Sequence, residues 1–177
     1  MKKTEGLNIR LRALTKEDAK VSWLWRNNAD MRYFYSGHPF FINIEKEEAW
    51  IAKVSTSDMP LTSFGIEEVS TNSLIGMVFL KDINLINRNA EFAIFIGDEN
   101  VKGKGYATQA TTMAVDFAFD DLNLNRVFLK VQEDNSAAIR LYEKCKFQKE
   151  GILRESVYKN GKYLNEIIMS ILKKEYR

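Results

Sequence analysis

Apolar and polar positions follow two different periods along this chain, and the period changes at recognisable turn signals. Strand-like patterns predict seven strands, at residues 8–14, 62–69, 74–82, 89–96, 126–132, 148–158 and 163–172. Helical spacing predicts four helices, at residues 17–28, 45–55, 106–122 and 136–144. This order predicts a single domain over residues 1–177 of the α/β (α+β) class, with a central mixed sheet of six to seven strands and about four flanking helices.

Short polar motifs mark the ends of several predicted elements. Thr15 and Asp18 form a helix-start signature directly after the first predicted strand. Asn160 and Gly161 separate the last two predicted strands and are the strongest hairpin signal in the chain. The aromatic-rich residues 31–42 are predicted to form a loop between the first two helices.

Composition excludes several classes of site. The chain has 177 residues, a net charge of +2, one histidine and one cysteine. Cys145 alone cannot form an internal disulfide, and with His38 it cannot build a His/Cys zinc site. We therefore predict no metal centre, although carboxylates could in principle bind a hard cation. No G-x-S-x-G motif accompanies His38, which argues against a Ser-His-Asp hydrolase.

Charge and hydropathy also limit the expected partners. Basic residues are interleaved with acidic ones rather than gathered in a stripe, so no nucleic acid is expected. No apolar run approaches the roughly 20 residues of a membrane-spanning helix, and no apolar core follows the two N-terminal lysines, so no membrane partner is expected. Cytoplasmic localisation is the expectation.

The segment VKGKGYATQA places glycines and lysines between a predicted strand and a predicted helix. The first turn of a helix has unpaired N–H groups and a partial positive charge. Gly103 and Gly105 would let an anion approach the amides from about Lys104 to Thr108, and the side chains of Lys102 and Lys104 would add positive charge. The segment therefore predicts a site for a ligand with two or three phosphates.

Several loop types compete for this segment. The Walker A spacing is absent, and the dinucleotide fingerprint G-x-G-x-x-G would have Thr108 at its third glycine, after four predicted strands instead of one. The acyl-CoA loop [QR]-x-x-G-x-[GA] is filled by Lys102, Gly105 and Ala107, with lysine at the first place. A turn with a capping glycine remains the simplest alternative.

The chain from about Leu11 resembles the GNAT superfamily of acyl-CoA-dependent N-acetyltransferases. The resemblance is carried by NRNAEFAIFI, NVKGKGYATQA, VQEDNSAAIRLYEKCKF and QKEGILRESVYKNGKYLNEIIMSI. The motif N-x-x-A-x-x-L-Y-E-K-x-x-F, directly after a strand and about 30 residues beyond the loop, is specific to that family. The branch it resembles holds bacterial spermidine N-acetyltransferases and alanine N-terminal acetyltransferases of ribosomal proteins, which implies a mostly antiparallel sheet.

The resemblance implies acetyl-CoA as the cofactor, with the pantetheine arm lying between two strands that splay apart. The implied cofactor contacts are Ile94, Phe95, Ile96, Lys102, Gly103, Lys104, Gly105, Tyr106, Ala107, Thr108, Asn135, Ala138 and Tyr142. Asn135 matches the family asparagine that hydrogen-bonds the arm, and it would equally suit the N-cap of the following helix.

Catalytic roles are implied for two residues. Tyr142 matches the general acid at the sulfur, and its ordinary pKa near 10 would keep it protonated, although its apolar helix stripe also suits plain packing. Glu91 matches the base of some members, commonly acting through water, or is an exposed strand-edge charge; Asp82 and Glu133 are second choices. Lys146 departs from the family glycine, and a left-handed lysine there would cost roughly 1 kcal/mol.

The acceptor is implied to bind between the first two helices, their loop and the last hairpin. The candidate contacts are Trp25, Asn28, Tyr33 and Asp82. A polyamine needs carboxylates for its ammonium groups, and residues 31–44 contain none. Glu45, Glu47 and Glu48 follow, where they also suit the first turn of a helix.

The sequence therefore predicts an acetyl-CoA-dependent N-acetyltransferase that acts on a primary amine by direct attack in a ternary complex. A small-molecule amine such as a polyamine is favoured, and a peptide or protein N-terminus and an amino sugar are the alternative acceptors. An acyl-CoA-binding regulatory module is the non-enzymatic alternative, against which the pair Asn135 and Tyr142 argues. A homo-oligomer, dimer or larger, is left open as a partner.

Overall fold

A seven-stranded sheet forms the centre of the protein. The structure, a computed structural model, describes residues 7–34, 40–55 and 61–176. The strands are β1 (Ile9–Arg12), β2 (Thr62–Glu68), β3 (Ser73–Asn84), β4 (Asn89–Ile96), β5 (Arg126–Gln132), β6 (Gln148–Lys159) and β7 (Lys162–Leu172). Their order is β1-β2-β3-β4-β5-β7-β6, and every neighbouring pair is antiparallel except β4–β5. The predicted mixed, mostly antiparallel sheet is confirmed. The histidine considered in the sequence, His38, lies outside the described residues.

Helices cover both faces of the sheet. They are α1 (Ala19–Asn27), α2 (Ala29–Phe34), α3 (Ile44–Ser55), α4 (Tyr106–Asp116), α5 (Ser136–Lys144) and α6 (Lys173–Tyr176). Four of these correspond to the predicted helices, and α4 is extended by a π-helical turn, Phe117–Asp121.

The prediction of a loop after α1 was wrong for residues 31–34, which belong to α2 (Ala29–Phe34). The side-chain oxygen of Asn28 accepts hydrogen bonds from the Asp30 and Met31 amides at 3.0 and 3.1 Å, which starts α2 at once. The predicted turn signals are confirmed. The Thr15 amide donates to the Asp18 carboxylate at 2.7 Å, and Asn160 and Gly161 both have positive φ between β6 and β7.

Side-chain alternation divides the core between the two faces of the sheet. On one face, α4 and α5 cover a cluster that includes Ala110, Ala114, Phe92 and Val127. On the other face, α1 and α3 pack on a smaller cluster that includes Trp25, Ile51, Met77 and Phe79. We call these the α4/α5 face and the α1/α3 face.

The sheet opens between β4 and β5. Their ladder consists of Asn89–Arg126, Ala90–Val127 and Glu91–Phe128, whereas β4 stays paired with β3 as far as Ile96. Beyond Glu91 and Phe128 the two parallel strands separate, as the family resemblance implied. The resulting gap opens towards the end of β4 that leads to α4.

Candidate active site

Two left-handed glycines shape the loop between β4 and α4. Gly103 has φ +80° and Gly105 has φ +79°, and Gly105 is the N-cap of α4. Apart from the chain neighbours of each glycine, no heavy atom of the described residues lies within 4 Å of a Cβ placed at either position. The backbone angle therefore favours glycine here, and the space above the loop is open.

The loop presents unpaired main-chain donors at the start of α4. The first bond into the helix runs from the Gln109 amide to the Gly105 carbonyl at 3.1 Å. Among the described residues, no acceptor receives the amides of Gly103, Gly105, Tyr106, Ala107 and Thr108. Such a cluster of donors can bind an anion.

One expected donor of this cluster is already used. The Lys104 amide donates to the Val101 carbonyl at 3.3 Å, so its N–H does not join the open amides. The lysine side chains are also paired, with 3.0 Å between Lys102 and Glu99 and 3.6 Å between Lys104 and Glu68. The two glutamates thus partly neutralise the lysine charges at the loop. The open main-chain amides are therefore the stronger attraction for an anion.

Tyr106 anchors the loop to the sheet. Its ring is buried and its hydroxyl donates a 2.8 Å hydrogen bond to Glu68 at the end of β2. This bond, with a second from Thr71, holds the pKa of Glu68 below its usual value, and the carboxylate raises the pKa of Tyr106. The side chain of Tyr106 therefore positions the loop.

The edge of β4 offers main-chain groups to the gap. The Gly97 amide donates to the Ile75 carbonyl of β3 at 2.8 Å. Because main-chain groups alternate along a strand, those of Phe95 also face β3, whereas those of Ile94 and Ile96 face the gap, where the ladder with β5 has ended. Ile94 and Ile96 can thus pair with an extended ligand.

Asn135 begins α5 at the far side of the gap. Its side-chain oxygen accepts from the Ala138 amide at 3.1 Å, which makes it the N-cap of the helix. Its side-chain NH₂ donates to no described residue. It can therefore cap the helix and donate to a ligand at once, while Ala138 lies partly buried on the same helix.

Tyr142 lies on the α4/α5 face with a free hydroxyl. Its side chain is 7% exposed, and its ring contacts Phe92 of β4 at a centroid distance of 6.2 Å and Phe147 at 5.9 Å. No described residue hydrogen-bonds the hydroxyl. Burial raises the pKa of the Tyr142 phenol above its ordinary value, with Cys145 a lesser cause, so the group stays protonated and can act as an acid.

Lys146 adopts the left-handed conformation that glycine would favour. Its φ is +69°. The Phe147 amide donates to the Tyr142 carbonyl at 2.9 Å and the Lys146 amide to the Glu143 carbonyl at 2.9 Å, which is the bonding of a Schellman motif. The lysine therefore leaves the glycine-type helix end next to Tyr142 unchanged.

Glu91 faces the opposite side of the sheet from Tyr142. Because Phe92 points to the α4/α5 face, its neighbour Glu91 points to the α1/α3 face. The Glu91 carboxylate lies 2.8 Å from the Lys81 ammonium and 4.0 Å from that of Lys130. The two candidate catalytic groups thus border the gap from opposite faces.

The second choices for a base are placed less favourably. Asp82 is exposed, with φ +50°, at an irregularity of β3. Glu133 is exposed and accepts both of its 3.1 Å hydrogen bonds from the Asn165 side chain. Glu91 is the candidate that borders the gap.

Tyr33 connects α2 to the end of β5. Its hydroxyl donates to Asp134 at 2.6 Å, and its carbonyl accepts from the Gln132 side chain at 3.0 Å. The Asp134 carboxylate raises the pKa of Tyr33. Asn28 is exposed and starts α2. Asn28 and Tyr33, two of the predicted acceptor contacts, therefore both shape this helix.

Trp25 and Asp82 are not brought together. The Trp25 ring packs edge to face on Phe95 at 5.5 Å and lines a small hollow with Met31 and Arg32. Asp82 follows Lys81, which pairs with Glu91 at the other end of β4. The predicted acceptor contacts therefore divide into a group around α2 and an isolated Asp82.

Two buried polar residues near α2 were missed at the level of sequence. Gln132 is 5% exposed and Glu166 is 9% exposed, and they are direct partners on β5 and β7. The sequence signal that could have found Glu166 is the alternation of side chains between the two faces of β7. It places Glu166 on the same face as Ile168 and Ser170.

Neither a metal-binding cluster nor a membrane-spanning helix is found among the described residues. Over residues 7–34, 40–55 and 61–176, no group of three or more His, Cys, Asp or Glu side chains could hold a metal ion. Within the same ranges, no helix is long and apolar enough to cross a membrane.

Comparison with known proteins identifies relatives of the whole chain. Residues 8–148 match the family model described as acetyltransferase (GNAT) domain. A spermidine N(1)-acetyltransferase of Vibrio cholerae is 36% identical over 168 residues, 95% of each chain. The crystal structure of spermidine N-acetyltransferase from Vibrio cholerae in complex with CoA and spermine has a TM-score of 0.87 at 33% identity, over 96% of this chain and 98% of that one. A dodecameric structure of the Vibrio cholerae enzyme has a TM-score of 0.81 at 33% identity, over 96% of each chain.

Proposed function

The chain belongs to the GNAT family of acetyltransferases, and from that premise we propose that it transfers the acetyl group of acetyl-CoA to a primary amine. A small amine of the polyamine type is the favoured acceptor. The observation that carries the proposal is the open amide cluster at the start of α4, because it lies at the mouth of the β4–β5 gap.

The described residues fit the parts of acetyl-CoA. The amides of Gly103 and of residues 105–108 suit the pyrophosphate, and the open space at both glycines gives room for it. The gap-facing groups of Ile94 and Ile96 and the side-chain NH₂ of Asn135 suit the amide-bearing pantetheine arm. When bound, acetyl-CoA supplies a thioester whose carbonyl carbon the amine attacks.

Tyr142 is proposed as the acid of the transfer. Breaking the C–S bond of the thioester as the new C–N bond forms would leave a negative charge on the sulfur, which an acid would neutralise. The Tyr142 hydroxyl, which donates to no described residue, can give its proton to that sulfur. The phenol then recovers a proton from solvent.

Glu91 is proposed as the group that removes a proton from the attacking amine, directly or through water. It borders the gap from the face opposite Tyr142. This arrangement lets the amine and the cofactor approach from different faces of the sheet. The attacking nitrogen and the leaving sulfur then have separate proton partners.

The choice of acceptor is supported by the relatives. The Vibrio cholerae enzyme is named for spermidine, and its crystal structure contains CoA and spermine. Dodecameric assembly of that enzyme likewise supports a homo-oligomer for this chain. A peptide amine and cytoplasmic localisation stay predictions.

The test is to follow thiol release from acetyl-CoA with a panel of amines: spermidine, spermine, putrescine, glucosamine and a peptide with N-terminal alanine. We expect release to depend on enzyme and to be fastest with a polyamine, and titration calorimetry should detect CoA binding. Absence of CoA binding would refute the proposal. Binding of CoA with no amine-dependent release would favour a regulatory module instead.

A further inference from the structure

The side chain of Gln132 holds a buried acceptor atom that no described residue satisfies. It is the last residue of β5, and its side-chain nitrogen donates to the Tyr33 carbonyl at 3.0 Å. That bond fixes the orientation of the amide, so the oxygen Oε1 points elsewhere. Oε1 is buried and has no hydrogen-bond partner in the described part of the chain. Buried polar atoms are nearly always paired, so this exception needs a donor.

Glu166 places a carboxylate directly beside it. Glu166 is the β7 partner of Gln132 and is 9% exposed. Its carboxylate accepts a 2.9 Å hydrogen bond from the Ser156 hydroxyl. Across the ranges that the structure describes, no lysine or arginine lies within ion-pair distance of Glu166. A carboxylate this buried normally has a cation nearby.

A bulge in β6 holds this carboxylate in place. The register of β6 against β7 shifts between Leu153 and Val157, and Glu155 inside the bulge has φ +50°. The Glu155 amide donates to the Asn165 side-chain oxygen at 2.8 Å. The bulge brings the Ser156 hydroxyl onto Glu166, as bulges beside functional sites commonly re-aim side chains.

The pair lies on the acceptor side of the gap. Lys130 contacts Glu91 on the α1/α3 face, and Gln132 is the next residue of β5 on that face. Gln132 is four residues beyond Phe128, the ladder partner of Glu91, which corresponds to about 13 Å along the strand. Tyr33 of α2 contacts Gln132 on that face through its main-chain carbonyl.

We infer that Gln132 and Glu166 form a subsite for a second, positively charged nitrogen of the acceptor, distant from the amine that is acetylated. An ammonium group donates several hydrogen bonds. Its positive charge would pair with the Glu166 carboxylate, which has no ion-pair partner among the described residues. The acceptor class is therefore a diamine or polyamine. Glu166 supplies a carboxylate, which residues 31–44 lack because they contain no acidic residue. This inference rests on the proposed function.

Titration calorimetry on the full chain saturated with CoA tests the subsite. The probes are spermidine, which has further cationic nitrogens, and n-butylamine, which has one. The variants are Glu166→Gln, which keeps the shape and the Ser156 bond, and Gln132→Met. The control is Glu150→Gln, a carboxylate of the neighbouring strand that is paired with Arg126.

We expect spermidine to bind the wild type and to bind each site variant at least tenfold more weakly. In both site variants, the affinities for CoA and for butylamine should change less than twofold. In the Glu150→Gln control, the affinities for spermidine, butylamine and CoA should all change less than twofold. Wild-type affinity for spermidine in Glu166→Gln, or no spermidine binding to the wild type, would overturn the inference. If Gln132→Met lowers the melting temperature sharply, Glu166→Gln alone decides.

Thiol release separates this inference from the proposed function. Spermidine binding that depends on the pair but is followed by no thiol release would count against acetyl transfer and leave the subsite standing. Release of thiol with unchanged KM for spermidine in both variants would support acetyl transfer and refute the subsite.

Discussion

The ring of Tyr142 meets the ring of Phe92 almost perpendicularly, at 87° and a centroid distance of 6.2 Å, while the Tyr142 hydroxyl donates to no described residue. The ring and the hydroxyl therefore have separable roles. The ring belongs to the core of the α4/α5 face, and the hydroxyl is available for chemistry.

Tyr142→Phe should lower kcat about 10²- to 10⁴-fold while CoA affinity and melting temperature stay close to wild type. The ring contacts remain, and no hydrogen bond to a described residue is lost. Steady-state kinetics with calorimetry checks this, and Tyr176→Phe, which alters a partly buried phenol outside the proposed site, is the control that should retain activity. An unchanged kcat in Tyr142→Phe would remove its role as the acid.

The pH dependence of kcat/KM should show no descending limb up to about pH 9.5. An acid must be protonated to act, and burial raises the pKa of Tyr142 above the ordinary value near 10, so its proton is retained throughout. The rate should rise with pH as the amine acceptor, with a pKa near 10, loses its proton. A fall in rate between about pH 7 and 9 that disappears in Tyr142→Phe would contradict this.

Gly105→Ala should weaken CoA binding and destabilise the fold by about 1 kcal/mol, because alanine resists the left-handed φ of +79°. Gly161→Ala is a matched control, since Gly161 has the same φ and equally empty surroundings in the β6–β7 hairpin. The control should lose similar stability and keep its CoA affinity. Denaturant unfolding and calorimetry measure the two effects, and equal CoA affinity in both variants would argue against the loop as the pyrophosphate site.

Lys146→Gly should stabilise the protein by roughly 1 kcal/mol, since glycine relieves the left-handed strain at φ +69°. The 3.3 Å hydrogen bond from the lysine side chain to the Tyr176 carbonyl is exposed and offsets little of this gain. Urea unfolding gives the difference, and kcat should not change because the Schellman motif is kept. A loss of stability would show that the lysine makes a stronger contact than this bond.

Glu91→Gln should lower kcat about tenfold or more with little change in CoA affinity, if Glu91 accepts the proton of the amine. The variant also breaks the 2.8 Å ion pair with Lys81. Lys81→Met breaks the same pair while keeping the carboxylate, so it separates structure from chemistry. Similar rates in both variants would show that Glu91 acts only through the ion pair.

Local signals account for the elements that were predicted correctly. The Asn160-Gly161 turn, the Thr15–Asp18 motif and the two loop glycines act within a few residues of chain. Their conformations follow from side-chain size and short-range hydrogen bonds, so sequence is sufficient to find them. The loop after α1 was mispredicted because Asn28 can both end one helix and start the next.

The sequence by itself determined the mixed sheet, the loop before α4 and the family, since these depend on periodicity, turn residues and contiguous motifs. Only the tertiary structure decided that the Lys104 amide is engaged, that Glu91 and Tyr142 border the gap from opposite faces, and that Gln132 lies beside Glu166. Such relationships depend on which strands pair and in which register. Pairing is set by packing between distant parts of the chain, which no local pattern encodes.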